Sequence, residues 1–179
     1  MKEKSLMGAV AALLLCAGIL FGLSKGLAPV AQRNAEAERL EMMTLLLPDS
    51  TTFTPETYSG EDAAVRSVYK GEGGYVVETV TAGYVGDITL LVGVDNQGHV
   101  TGLVVRDMEE TYGLGMEALR DREFLSQFLG TSGEAEVGET VDAMTGATVS
   151  SKAIAKGVNS AVAFVTGADV SSAATEWGG

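Results

Sequence analysis

The sequence predicts an α+β fold, a small twisted antiparallel sheet with helices packed against it, carried behind an N-terminal apolar segment and a stalk helix. Three observations predict it. An uncharged, almost wholly apolar run, Leu6–Leu23, stands near the start. Four short β-rich pieces follow in the middle, and two of them are joined by a turn-forming tetrapeptide. Near the end, Ser150–Val165 places Ile154, Val158, Ala161, Val162 and Val165 on one helical face. Sheets and helices of this kind bury their apolar faces against each other in layers.

The elements follow in order. The run LMGAVAALLLCAGILFGL has 18 residues, and at helical rise it spans roughly 27 Å, close to the thickness of a bilayer core. A cleaved signal peptide needs small residues at its cleavage site, whereas Ala28-Pro29-Val30-Ala31 puts Pro or Val there. A lipoprotein needs a small residue before its cysteine, and Leu15 precedes Cys16. An uncleaved anchor is the expected reading. Lys2 and Lys4 before the run nearly balance Lys25 and Arg33 after it, so charge does not fix orientation. Between Ala28 and Leu47 the run AQRNAEAERLEMMTLLL is rich in helix formers and is stopped by Pro48.

Residues 50–64 are polar and read as a loop. Strands are expected over Val65–Tyr69, Tyr75–Thr81, Ile88–Val94 and Val100–Val105, with Asp95-Asn96-Gln97-Gly98 turning the last pair. Glu117–Arg122 and Glu123–Leu129 read as one or two short helices, and Thr131–Thr140 as a Gly/Glu loop. The expected organisation is a short inner tail (1–5), an anchor (6–26), a stalk helix (27–49), one domain (50–167) and a flexible tail (168–179).

Charge and composition exclude several functions. Net charge is −12, and beyond Lys25 nine Lys/Arg face 23 Asp/Glu. Such a surface lacks the cations that displace counterions from a phosphate backbone, so no nucleic-acid partner is expected. Cys16, inside the apolar run, is the only cysteine, so the domain has no disulfide and no cysteine-ligated metal. The only histidine, His99, sits in the expected hairpin turn. No paired carboxylates and no nucleophile–base arrangement stand out, so neither a metal site nor a catalytic residue is expected.

The informative stretch is Asp142-Ala143-Met144-Thr145-Gly146-Ala147-Thr148-Val149-Ser150-Ser151, where a loop enters the last helix. Gly146 and Ala147 let the backbone approach a ligand. Unpaired N–H groups and the positive dipole end at a helix start favour a phosphate. Thr148 would place a hydroxyl where that phosphate docks, and Lys152 one turn on adds positive charge. Local physics alone also allows Thr145 or Thr148 to be an ordinary N-cap.

The whole pattern, Asp-x-x-Thr-Gly-Ala-Thr, resembles the flavinylation signature of the FMN-binding domain family. In that family a dedicated transferase uses FAD to attach FMN to the final Thr or Ser. The resemblance implies covalent FMN on Thr148 through a phosphoester, with Asp142, Thr145, Gly146 and Ala147 forming the recognised frame. A second block supports it. Gly83-Tyr84-Val85-Gly86-Asp87-Ile88, Val92-Gly93-Val94-Asp95, Gly98 and Val100-Thr101-Gly102-Leu103 are similar to the family's paired strands and hairpin. They lead into Glu110-Thr111-Tyr112-Gly113-Leu114-Gly115, similar to the family's Glu-Thr-Pro-Gly-Leu-Gly loop beside the flavin. The resemblance therefore implies flavin contacts from Glu110, Thr111, Gly113, Leu114 and Gly115. Tyr112 replaces the usual Pro, and Met108 stands where His is common; Tyr112 puts the rigidity of that loop in doubt.

One anchor, a stalk helix and one domain resemble the branch of this family found in Rnf-type electron transport complexes. That resemblance implies a domain on the extracytoplasmic side of the cell membrane, other membrane subunits as partners, and a flavin transferase for maturation. It implies a redox subunit, not catalytic alone, in a complex coupling ferredoxin:NAD electron transfer to ion movement. Two other functions remain open: a stand-alone exported flavoprotein reductase, and a non-redox anchored binding module whose glycine loops are structural.

Overall fold

The computed structural model describes residues 33–34, 36–108 and 121–168. The anchor expected over residues 6–26, the loop Glu110–Gly115 and the tail beyond Ala168 lie outside these. Among the described residues no helix is long and apolar enough to cross a membrane. The chain divides into two compact units, Met1–Glu41 and Met42–Gly179. Helix α1, over residues 36–46, ends two residues before Pro48, as a residue that cannot donate its N–H and restricts its predecessor would require.

The second unit contains a five-stranded antiparallel meander, β1 to β5 in chain order. Its strands are β1 (Thr54–Glu56), β2 (Val65–Lys70), β3 (Gly74–Ala82), β4 (Asp87–Asp95) and β5 (Val100–Met108). The four expected strands are all present. β1 is additional, within the stretch read as a loop. It has three exposed residues, one of them proline, and a proline sits in a sheet only at such an edge. Helix α2 (Arg122–Ser126) and helix α3 (Thr148–Thr166) complete the unit. The last helix is thus two residues longer at its start and one longer at its end than the apolar periodicity marks.

The β4–β5 turn forms as its sequence indicates. Asp95 Oδ1 accepts hydrogen bonds from the backbone N–H groups of Gln97 and His99, at 2.9 and 2.8 Å. Burial pushes the Asp95 carboxyl up, but these donors and the His99 ring outweigh it and hold the carboxyl below its ordinary value. His99 is exposed, with Nδ1 3.3 Å from Asp95 Oδ2, so it serves the turn.

Two cores lie on opposite faces of the sheet. On one, Val77, Ile88, Leu90, Val92 and Val94 pack with Ile154, Val158, Ala161 and Val162 of α3 and with Phe124 and Phe128. On the other, Val76 and Leu91 pack with Met43, Leu46 and Leu47. Alternation along β3 and β4 is the cause, since successive side chains point to opposite faces. Gly93 and Gly102 are directly paired across β4 and β5. Together they leave a depression in which the end of α1 sits. A Cβ on Gly93 would overlap the Leu46 carbonyl oxygen, and that same oxygen accepts from Thr101 Oγ1 at 2.5 Å.

Helix α3 runs antiparallel to β3, and three contacts fix its direction. Phe164 meets Tyr75 edge-on at 5.5 Å. Gly157 lies over Thr79 and Leu90, where a Cβ would come within 2.8 Å of both. Thr81 Oγ1 donates to the Ala153 carbonyl at 2.9 Å. At the far end Gly98 abuts Thr166. The start of α3 therefore lies at the end of the sheet where Thr81, Ile88 and Met108 pair in one row.

Candidate functional site

The loop entering α3 is held by hydrogen bonds at each step. Gly138 N–H donates to the Val141 carbonyl at 2.8 Å. Asp142 N–H donates to Gln127 Oε1 at 2.9 Å. Met144 N–H donates to Ser151 Oγ at 3.1 Å, and that hydroxyl donates to the Ala147 carbonyl at 2.9 Å. Ala147 N–H closes a turn onto the Met144 carbonyl at 3.1 Å, across Gly146 at φ 77°. A left-handed φ of this kind is open to glycine at little cost, which explains its place in the frame.

Burial sorts the loop with a period of three. Val141, Met144 and Ala147 are buried in the main core. Asp142, Thr145 and Thr148, each one position later, are exposed. The apolar set anchors the loop, and the polar set faces outward together. Gly146 is exposed between them, so the structure brings Asp142, Thr145, Gly146 and Thr148 to one short stretch of surface, with Ala147 buried beneath it.

Neither Thr145 nor Thr148 is the N-cap of α3. That position belongs to Ala147, at φ −128° and ψ 38°, and it makes no side-chain cap hydrogen bond. The first helical N–H groups thus lack the usual hydroxyl or carboxylate acceptor. No acidic residue lies in the first turn, while Lys152 is exposed one turn further on. The helix dipole adds positive potential at this end. Thr148 carries an exposed side-chain hydroxyl on the first helical turn. A phosphate on that oxygen would meet free N–H donors and a cation, and no carboxylate of the first turn, so these residues fit a phosphoester.

Sequence reasoning missed Ser151 and Gln127, the two side chains that fix the loop. A serine four residues after the N-cap was the available signal, because it can reach both the preceding loop and its own i−4 carbonyl. Ser151 is fully buried, and its loss strands the Met144 N–H. We expect Ser151→Ala to lower unfolding free energy by about 1–3 kcal/mol, read by urea denaturation, with the loop carrying Thr148 loosened. An unchanged midpoint would show that this hydroxyl does not hold the loop.

Of the other expected site residues, Glu110, Thr111, Gly113, Leu114 and Gly115 lie outside the described residues. Their segment begins after Met108, whose partner Ile88 is also paired with Thr81 at the α3 start end of the sheet. His99 lies at the opposite end. Among the described residues no group of three or more His, Cys, Asp or Glu could hold a metal.

Comparison with known proteins places this sequence among relatives. The FMN-binding domain family matches residues 83–163, from the β3–β4 turn to the last turn of α3. The G subunit of the proton-translocating ferredoxin:NAD(+) oxidoreductase complex of Clostridium ljungdahlii is 34% identical over 145 residues, 77% of each chain. The G subunit of the ion-translocating oxidoreductase complex of Methanosarcina acetivorans is 35% identical over 147 residues, 74% of this chain and 77% of its own. The corresponding subunit of Shewanella baltica is 26% identical over 174 residues, 83% and 82% of the two chains.

Proposed function

This chain belongs to the FMN-binding-domain family and, within it, to the G subunits of ion-translocating oxidoreductase complexes, and on that premise we propose that it is a membrane-anchored electron-transfer flavoprotein subunit with FMN esterified to Thr148. The observation that carries the proposal is the exposed Thr148 hydroxyl at the uncapped start of α3, inside the Asp142–Thr148 frame.

Each residue then has a defined task. Thr148 is a tether: its oxygen joins the flavin phosphate and takes no part in redox chemistry. The N–H groups of the first turn receive phosphate oxygens, and Lys152 offsets their charge. Met144, Ala147 and Ser151 keep the loop in place. The flavin supplies the redox chemistry when bound, while the protein supplies anchoring and surroundings. Attachment forms the bond from Thr148 Oγ1 to the flavin-side phosphorus of FAD and breaks the pyrophosphate bridge. AMP leaves, and the hydroxyl proton passes to a base on the transferase.

The wider assignment rests on the same family. The chain is a redox relay of a complex that couples ferredoxin:NAD electron transfer to ion translocation, with other membrane subunits as electron donor and acceptor. Residues 6–26 hold it in the cell membrane, and residues 50–167 form the flavin domain on the extracytoplasmic side. The acidic surface suits a domain held off anionic lipid.

Protein made together with the flavin transferase tests the proposal. Its intact mass is expected to exceed that of the bare chain by one FMN less one water, and peptide mapping is expected to place the addition on the fragment containing Thr148. A colourless product, or flavin lost on denaturation and gel filtration, would overturn it.

A further inference from the structure

The β3–β4 turn lies at the same end of the domain as Thr148. Gly83 N–H donates to the Gly86 carbonyl at 2.8 Å, and Ala82 pairs with Asp87. Tyr84 and Val85 are therefore the two apex residues of a tight hairpin. They are 72% and 61% exposed, among the most exposed large apolar side chains of the domain. Polar or small residues are what such an apex ordinarily carries.

The geometry connects this apex to α3. From the hydrogen bond between Thr81 and Ala153, the helix continues five residues back to Thr148, about 7–8 Å at helical rise. The strand continues one residue on to Ala82, and the turn carries Tyr84 two residues beyond its end. Because α3 is antiparallel to β3, both paths leave that bond in the same direction. Tyr84 and Thr148 thus both lie beyond that bond toward the same end of the domain, one following the sheet layer and one on the helix layer.

We propose that Tyr84 is a positioning residue for the flavin tethered on Thr148, its phenol ring lying against the isoalloxazine with Val85 beside it. This rests on the FMN assignment above. A planar aromatic ligand gains most against an exposed aromatic ring, by apolar burial and offset or edge contact at centroid separations of about 4.5–7 Å. A tether on one oxygen leaves the ring system free to swing, so a second contact is what gives it a fixed orientation toward an electron partner. Tyr84 belongs to neither core cluster, so its replacement removes no side chain from either core.

Flavin emission reports the contact directly. A phenol or indole against the ring quenches it by donating an electron to the excited flavin, which returns it. Full-length native, Tyr84→Leu and Tyr84→Trp proteins are made with the transferase, and emission is measured per FMN confirmed by mass on Thr148. Tyr84→Leu is expected to emit several-fold more strongly than native protein, with lower fluorescence anisotropy, and Tyr84→Trp to restore quenching. Equal emission from all three, with FMN present on Thr148, would overturn this proposal and leave the tether intact. Native protein without FMN on Thr148 would overturn both.

Discussion

Thr148→Val is expected to fold as the native chain does and to carry no covalent flavin. The two side chains have nearly the same shape, and residue 148 is exposed on the first turn of α3. Substitution there changes stability by no more than about 0.5 kcal/mol. What it removes is the oxygen that bonds to phosphorus, so occupancy is expected to fall from near complete to none. Thr148→Ser keeps that oxygen and is expected to retain flavin. Thr145→Val is the decisive control. Thr145 is also exposed, one step earlier in the same period-three pattern, so its loss is expected to weaken attachment while any flavin formed still maps to Thr148. A Thr148→Val protein that keeps covalent flavin after denaturation would end this assignment.

Gly93→Ala is expected to destabilise the domain strongly. Its Cβ would overlap the Leu46 carbonyl oxygen and stand 2.8 Å from the Leu46 carbonyl carbon and 2.7 Å from Thr101 Oγ1. Backbone cannot rotate away as a side chain can, so the end of α1 must lift from the sheet. Met43, Leu46 and Leu47 then lose part of their burial against Val76 and Leu91. A loss of about 3 kcal/mol or more is expected, at the upper end of overpacking effects. Thr101→Val, which removes only the hydrogen bond to Leu46, is expected to cost about 1 kcal/mol. Denaturant midpoints for the two variants test the ranking, and a Gly93→Ala protein within about 0.5 kcal/mol of native would refute it.

Much of this was legible because it follows from local chemistry. β3 and β4 are rich in β-branched and apolar residues, Asp95-Asn96-Gln97-Gly98 carries its own turn signal, and Pro48 marks the helix end. β1 was not legible, since Thr54–Glu56 owes its conformation to pairing with β2 and has no apolar face of its own. Nor was the reach of α3 back to Thr148, because the first turn of a helix lacks buried periodicity until its loop is known. The loop from Asp142 to Thr148 was readable as a pattern of residue types. The hold of Ser151 on Met144 was not, because a buried serine and an exposed one look alike in a sequence. Nor was the seat for Leu46, which exists only because Gly93 and Gly102 are paired across β4 and β5.

The placement of α3 after all five strands has a consequence for synthesis. A nascent chain that has completed the sheet still leaves one of its faces bare, because Ile154, Val158, Ala161 and Val162 are translated later. N-terminal segments emerge first, and here they have only half their partners. The main core closes when the residues just beyond Thr148 arrive. A product truncated before Asp142 therefore lacks the helix that shields the sheet. It would present open apolar surface to proteases and chaperones.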